Sequence, residues 1–288
     1  MRDLNHDFKR LAERNRDGAF QTQHDREVIL SMVADQLAEG GFRHLRASGL
    51  KPKHVEHLVQ RWHAESIASG TFKNRMAALR WLAEKIGKQN IVARENASYG
   101  IADRRHVSND SKATALDADK LASVADPYTA MSLRLQAAFG LRREESIKLR
   151  PQWADRGDSL YLKASWTKGG REREVPITTD EQRTVLADAQ ALAGAGSLIP
   201  AELSYRDQLN RFKAQTAKAG IDHVHGLRHA YAQARYEALT GWKAPAAGGP
   251  MSRQLSAAQK IADRAARLAI SAALGHEREQ ITAVYLGR

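Results

Sequence analysis

The sequence predicts a mainly α-helical protein with one small antiparallel β-hairpin, divided into two domains. Three observations carry that reading. Apolar residues recur at helical spacing through the first hundred positions, a polar stretch without periodicity follows, and one pair of short β segments flanks a glycine-rich turn further on. At 288 residues the chain can build two ordinary cores without disulfides or a structural metal.

Taken in order, Val28, Ile29, Met32, Val33 and Leu37 fall on one side of a helix expected to begin near His24 and to end at Gly40-Gly41. Val55, Leu58, Val59 and Trp62 follow the i, i+3, i+4, i+7 pattern behind Pro52, a residue suited to a first helical turn. Ser69-Gly70-Thr71 breaks the chain, with Thr71 expected as an N-cap. Phe72, Met76, Leu79, Leu82 and Ile86 make the stripe of the next helix, and Lys73, Arg75 and Arg80 lie off it, open to solvent or to phosphate. From about Ser98 to Ala113 the text is polar and basic, so the domains are set at 1–103 and 116–288 with a linker over 104–115. Helical pattern resumes from Asp117 to Val124 and from Ala130 to Phe139. Ser159 to Ala164 and Arg173 to Ile177 flank Thr167-Lys168-Gly169-Gly170, the tip of the hairpin. Thr178 and Glu181 suggest a capping box for the next helix, and Gly248-Gly249-Pro250 marks a surface loop.

Charge narrows the function. Forty-five Lys and Arg against thirty-three acids give a net charge of +12. A polyanionic partner explains this best, because each phosphate neutralised releases condensed counterions from DNA. The basic residues are spread along the chain and not gathered on one amphipathic anchor, which argues against a membrane surface. No run of eighteen apolar residues offers a transmembrane helix, and MRDLNHDFKRLAERNRDG has no apolar core of a secretory signal. Without cysteine there are no disulfides, thiolate zinc sites or cysteine nucleophiles, which suits a reducing cytoplasm.

Four stretches can carry chemistry together. They are Gly140-Leu141-Arg142-Arg143-Glu144-Glu145, Lys168 at the hairpin tip, His225-Gly226-Leu227-Arg228-His229, and Leu274-Gly275-His276, which precedes Tyr285 by nine residues. Cleaving a phosphodiester without a metal needs guanidinium groups on the nonbridging oxygens, an in-line nucleophile, and a proton for the departing alkoxide. Two arginines, a lysine, histidines and a tyrosine hydroxyl supply those parts. Each motif alone is weak, since an Arg with Glu three residues on is most often a surface ion pair. His223, His225 and His229 lack the acidic or cysteine partners of a metal set. Order and spacing lift the motifs above those readings.

In that order the motifs resemble the catalytic domain of the tyrosine recombinases, the phage-integrase family, from about Ala137 onward. The helical region KPKHVEHLVQRWHAESIASGTFKNRMAALRWLAEKIGK is similar to the core-binding, SAM-like domain of integrases from mobile elements. The resemblance implies that Arg142 and Arg228 hold the scissile phosphate and that Lys168 protonates the leaving 5′-oxygen. It gives His225 an acid/base role, sets His276 on the phosphate, and makes Glu145 a buttress. Tyr285 becomes the nucleophile that forms a 3′-phosphotyrosine. It further implies double-stranded DNA as partner, bound through Lys73, Arg75 and Arg80 among others, a tetramer on DNA, DNA-bending accessory factors, no cofactor, and a cytoplasmic, nucleoid-associated setting.

Departures from the family pattern are an insertion expected over Thr240 to Arg264 and a tail of only Leu-Gly-Arg after Tyr285, so the contact between protomers is expected to differ or to be weaker. The alternatives are a type IB topoisomerase-like enzyme and a catalytically silent, recombinase-derived DNA-binding protein.

Overall fold

The computed structural model describes residues 3–103, 107–276 and 278–288. Chain contacts separate two units, Met1–Arg105 and His106–Arg288. The first three residues of the expected linker, 104–106, lie outside the described residues.

The first unit is built from α1 (Asp3–Arg14), α2 (Phe20–Glu39), α3 (Pro52–Ala64) and α4 (Ser69–Lys85). Their inward faces meet in a core of Phe8, Leu30, Val33, Leu37, Leu58, Trp62, Phe72, Met76 and Leu82. Trp62 is fully buried, and its indole N–H donates to Gln36 Oε1 at 2.8 Å, so both polar groups are satisfied inside the apolar layer. Pro52 opens α3 as expected. Two expectations need correcting. α2 begins four residues before His24 and buries Leu30, Ala34 and Ala38 with Val33 and Leu37, which leaves Val28 55% exposed. The N-cap of α4 is Ala68, so Thr71 sits within the first turn and not at the cap. Val33 and Leu37 of the expected stripe are buried and Ile29 and Met32 pack against the core, so Val28 alone of the five lies off the packed face, which Leu30, Ala34 and Ala38 widen.

The second unit begins with α5 (Ala118–Ala122), α6 (Pro127–Phe139), α7 (Arg143–Lys148) and α8 (Pro151–Ala154). Asp117 and Asp126 cap α5 and α6 by accepting backbone N–H groups. A hairpin of β1 (Ser159–Leu162) and β2 (Arg173–Pro176) follows, antiparallel, with Leu160 opposite Val175 and Leu162 opposite Arg173. Then come α9 (Asp180–Ala193), α10 (Tyr205–Lys218), α11 (His225–Thr240), α12 (Ala257–Ala273) and α13 (Glu279–Leu286). The main core joins Leu135, Phe139, Leu160, Leu162, Val175, Leu186, Tyr236, Ile270 and Leu286.

β1 is shorter than the expected 159–164, because the chain turns through a 3-10 segment at Ala164–Trp166 to bury Trp166. The cap of α9 is Thr179, whose hydroxyl accepts from Gln182 N–H, with Thr178 one residue outside. The stretch expected as an insertion forms a loop over 241–256 with Ala244, Ala246 and Leu255 buried, followed by the opening turns of α12. Gly249 is packed within that loop and not merely at the surface: a Cβ there would fall 1.7 Å from the Lys243 carbonyl oxygen.

Gly140 ends α6 in the left-handed conformation, φ 61°, and a Cβ on it would lie 2.4 Å from Tyr231 Cδ1. Backbone strain and a clash with a ring packed in the core therefore coincide. Gly140→Ala is expected to cost about 2–4 kcal/mol of unfolding free energy. Urea denaturation of the two proteins measures this, and an unchanged midpoint would show that the turn relaxes freely.

Candidate active site

Burial of a carboxylate organises this region. Glu145 lies in the first turn of α7 with none of its surface exposed. Its Oε2 accepts the Arg142 backbone N–H at 2.7 Å, and its Oε1 accepts from Arg142 Nη1 at 2.7 Å. From β2, Arg173 donates Nη1 to Oε1 at 3.0 Å and Nη2 to Oε2 at 2.7 Å, a bidentate pair. Arg228 Nη1 stands 4.0 Å from Oε2. Burial by itself would raise the Glu145 pKa, but the hydrogen bonds and charge of Arg173, with the charge of Arg142, outweigh it and pull the group down to about 2.

Arg228, only 1% exposed, is held on α11 by carbonyls at two helix ends. Nη1 donates to Gly140 O at the end of α6, and Nη2 donates to Leu274 O at the end of α12. Helix C-termini carry partial negative charge, which favours a guanidinium there. Burial, against the favourable Tyr285 contact, still lowers its pKa to about 10, so it remains a cation at neutral pH. Its Nε donates to the Tyr285 hydroxyl at 3.2 Å.

Tyr285 is carried by α13 and is 5% exposed. Its hydroxyl also lies 3.3 Å from His276 Nε2. Accepting from Arg228 leaves the phenolic proton for His276 when Nε2 is the bare nitrogen. Burial, followed by the charges of Arg228, Arg142 and Arg173, lowers the His276 pKa to about 4, so that ring is neutral at pH 7. His225, the exposed first residue of α11, turns its ring towards Tyr285 with centroids 6.1 Å apart. Although its outer edge is open to solvent, the protein atoms packed around the ring strip water from it, and with the charges of Arg228 and Arg142 they hold its pKa below the ordinary value.

The structure thus brings together Arg142, Glu145, His225, Arg228, His276 and Tyr285. Lys168 stays exposed in the turn between β1 and β2 and makes no hydrogen bond or ion pair among the described residues. In the first unit, the residues singled out for DNA are engaged internally. Lys73 pairs with Asp103 at 2.9 Å, Arg75 lies over the Trp62 ring at 5.2 Å, and Arg80 donates to Ala93 O and Asn96 Oδ1 at 2.9 and 3.0 Å. Arg80 is therefore a structural tie, and the expectation that it stands open to solvent is corrected.

Sequence reasoning missed three members of the cluster. Arg173 is buried beside Val175, and the period-two alternation of Arg-Glu-Val-Pro on β2 could have turned it inward. His229 packs its ring 4.7 Å from that of Tyr285, and burial, with the charges of His225 and Lys112, lowers its pKa to about 4. Gln233 donates to the Tyr285 carbonyl at 3.0 Å and accepts from Ser111 Oγ at 3.1 Å, which seats the backbone of α13. His225, His229 and Gln233 stand at i, i+4 and i+8 on α11, one continuous helix face, so the spacing from His225 is the signal that could have found both.

Residues 1–92 match the family model described as phage integrase, N-terminal, and residues 102–234 match the model described as integrase. The second match includes Arg142, Lys168, His225 and Arg228, while His276 and Tyr285 lie beyond it. No match is found among curated proteins. Among solved structures the fold is similar to a lambda integrase dimer bound to a COC′ core site, with TM-score 0.62, 16% identity, and coverage of 99% of this chain and 78% of that one. It is also similar to XerH site-specific recombinase bound to palindromic difH substrate, at 0.59, 14%, 99% and 81%. The Tn1549 transposon integrase in complex with circular intermediate DNA gives 0.57, 13%, 100% and 96%.

Arg173→Ala would leave Glu145 buried with one of its two close partners removed, at an expected cost of about 3–5 kcal/mol. Chemical denaturation tests this, and a loss below 1 kcal/mol would mean the ion pair is screened and not structural. The pH dependence follows from the same groups. Folded His229 and His276 resist protonation until about pH 4, whereas the unfolded chain takes up those protons near 6.5, so stability should fall as pH drops from 6.5 towards 4. Glu145, held at about 2 against 4.5 unfolded, adds a further loss below 4.5. A denaturation midpoint equal or higher at pH 5 than at pH 7.5 would contradict this.

Proposed function

The chain belongs to the tyrosine recombinase family, and from that premise we propose that it is a site-specific DNA recombinase or integrase that breaks and rejoins strands through a 3′-phosphotyrosyl intermediate. One observation carries the reading: the Tyr285 hydroxyl lies within hydrogen-bond reach of a buried guanidinium and of a neutral imidazole, 3.2 Å from Arg228 Nε and 3.3 Å from His276 Nε2.

In this reading Arg142 and Arg228 receive the nonbridging oxygens of the scissile phosphate, whose charge grows in the pentacoordinate transition state. The Tyr285 oxygen attacks phosphorus and its proton passes to an imidazole, His276 being the one placed to take it and His225 standing by as a second acid/base group. The bond from phosphorus to O5′ breaks, the electron pair leaves with O5′, and Lys168 supplies the proton. The phosphotyrosyl bond keeps the phosphodiester energy, so the cycle draws on no cofactor. An incoming 5′-hydroxyl reverses the steps and releases Tyr285.

A lambda integrase tetramer has been seen bound to a Holliday junction. Assembly of this protein as a tetramer on double-stranded DNA, with DNA-bending accessory factors, belongs to the same proposal. So does a nucleoid-associated place in the cytoplasm. Among the described residues no helix is long and apolar enough to cross a membrane.

The test uses a supercoiled plasmid carrying the DNA that flanks the protein's own gene, quenched with detergent. The wild type should give protein covalently joined to DNA, and Tyr285→Phe should bind equally but give none. Adducts persisting in Tyr285→Phe would overturn the nucleophile. Binding without cleavage by wild type, on nicked as well as intact DNA, would favour the silent DNA-binding protein.

A further inference from the structure

Lys168 presents a physical problem. A general acid must reach the departing oxygen to within hydrogen-bond distance, and Lys168, on an exposed glycine-rich turn, has among the described residues no side-chain partner to hold it there. Gly169 and Gly170 both adopt positive φ, 90° and 68°, and a Cβ on either would meet nothing within 4 Å. The side chain is therefore only as well placed as the backbone beneath it.

That backbone is anchored on both sides. Upstream, Trp166 is 5% exposed and packs edge-on against Trp153, with ring centroids 5.3 Å apart. Downstream, Arg173 is pinned by Glu145 and by its Nε donating to Ala273 O at 2.9 Å. Between these anchors the Thr167 side chain crosses the turn next to Lys168, and further out the Tyr161 hydroxyl donates to Glu172 Oε2 at 2.5 Å. The Thr167 hydroxyl lies 3.0 Å from Ala164 O and 2.5 Å from Arg171 O, and Gly170 N–H donates to Thr167 O at 3.2 Å. Thr167 thus ties the incoming arm to the outgoing one immediately beside Lys168, next to two glycines whose backbone is the most permissive of the turn.

We infer that Thr167 is a positioning residue for Lys168, closing the turn so that the ammonium group meets the leaving 5′-oxygen. This rests on the reading of Lys168 as the general acid. Misplacing a catalytic group by about 1 Å costs on the order of 100-fold in rate, and removing general acid catalysis altogether costs on the order of 100- to 10,000-fold.

The experiment compares two duplexes spanning the break that the wild-type protein makes, one ordinary and one with sulfur replacing the bridging 5′-oxygen. A thiolate leaves without needing a proton, because thiols ionise near pH 8.5, so the sulfur duplex bypasses the general acid. Thr167→Val keeps the shape and the apolar methyl but removes the hydroxyl, and its half-buried place in the turn lies outside the core clusters. Single-turnover cleavage of the oxygen duplex by Thr167→Val should fall roughly 10- to 100-fold, with the sulfur duplex cleaved within about threefold of wild type. Thr167→Ser, which restores the donor, should recover most of the rate. Equal losses on both duplexes, or no loss on either, would overturn the positioning role. Lys168→Met runs alongside: if its own defect is not rescued by sulfur, the assignment of Lys168 as acid is what has failed, while rescue of Lys168→Met without rescue of Thr167→Val refutes the role of Thr167 alone.

Discussion

The buried carboxylate of Glu145 is the interaction on which the rest of the site depends. Three guanidinium groups, from Arg142, Arg173 and Arg228, gather around or near it, and like charges would not pack so closely without an intervening anion. One carboxylate neutralises only part of that charge. The remainder is a fixed positive excess in a desolvated site, already in place before any phosphate arrives. Preorganisation of this kind is worth more than the same groups in water, because no dipoles have to reorient as charge develops. Satisfying both oxygens of Glu145 also explains why the buried charge is tolerated at all.

The fold serves this cluster by converging chain ends on it. The end of α6 and the end of α12 each present a carbonyl to Arg228, the start of α7 supplies Arg142 and Glu145, and β2 supplies Arg173. α11 runs past all of them with His225, Arg228, His229 and Gln233 along its length. Main-chain groups at helix termini, which need partners in any fold, are here satisfied by the charged side chains of the site. Stability and chemistry therefore draw on the same contacts, and substitutions in Arg173 or Gly140 are read first as effects on folding.

Net charge has to be interpreted with the same care. The basic excess points to a polyanion, yet several basic residues of the first unit hold the protein together. Arg80 bridges α4 to the segment around Ala93 and Asn96, and Arg75 lies across Trp62. A lysine or arginine counted from composition becomes available to phosphate only when no internal carboxylate, carbonyl or ring has claimed it.

Residue types and their order determined much of this protein: helices with a hairpin, two units, and the motif stretches from which the fold gathers Arg142, Glu145, His225, Arg228, His276 and Tyr285, while Lys168 stays on its exposed turn. These were legible because local periodicity reports helices, and because a combination of motifs is far more specific than each motif alone. What only the tertiary structure decided is which polar groups face one another. Alternation along β2 sets Arg173 on the face of Val175, but only the fold brings Glu145 to it; His229 reads as a neighbour of Arg228 until α13 lays Tyr285 against it, and Thr167 as an ordinary turn residue until its hydroxyl spans the two arms. Burial and pairing belong to contacts between segments distant along the chain, and a window of consecutive residues carries no information about what will pack against it.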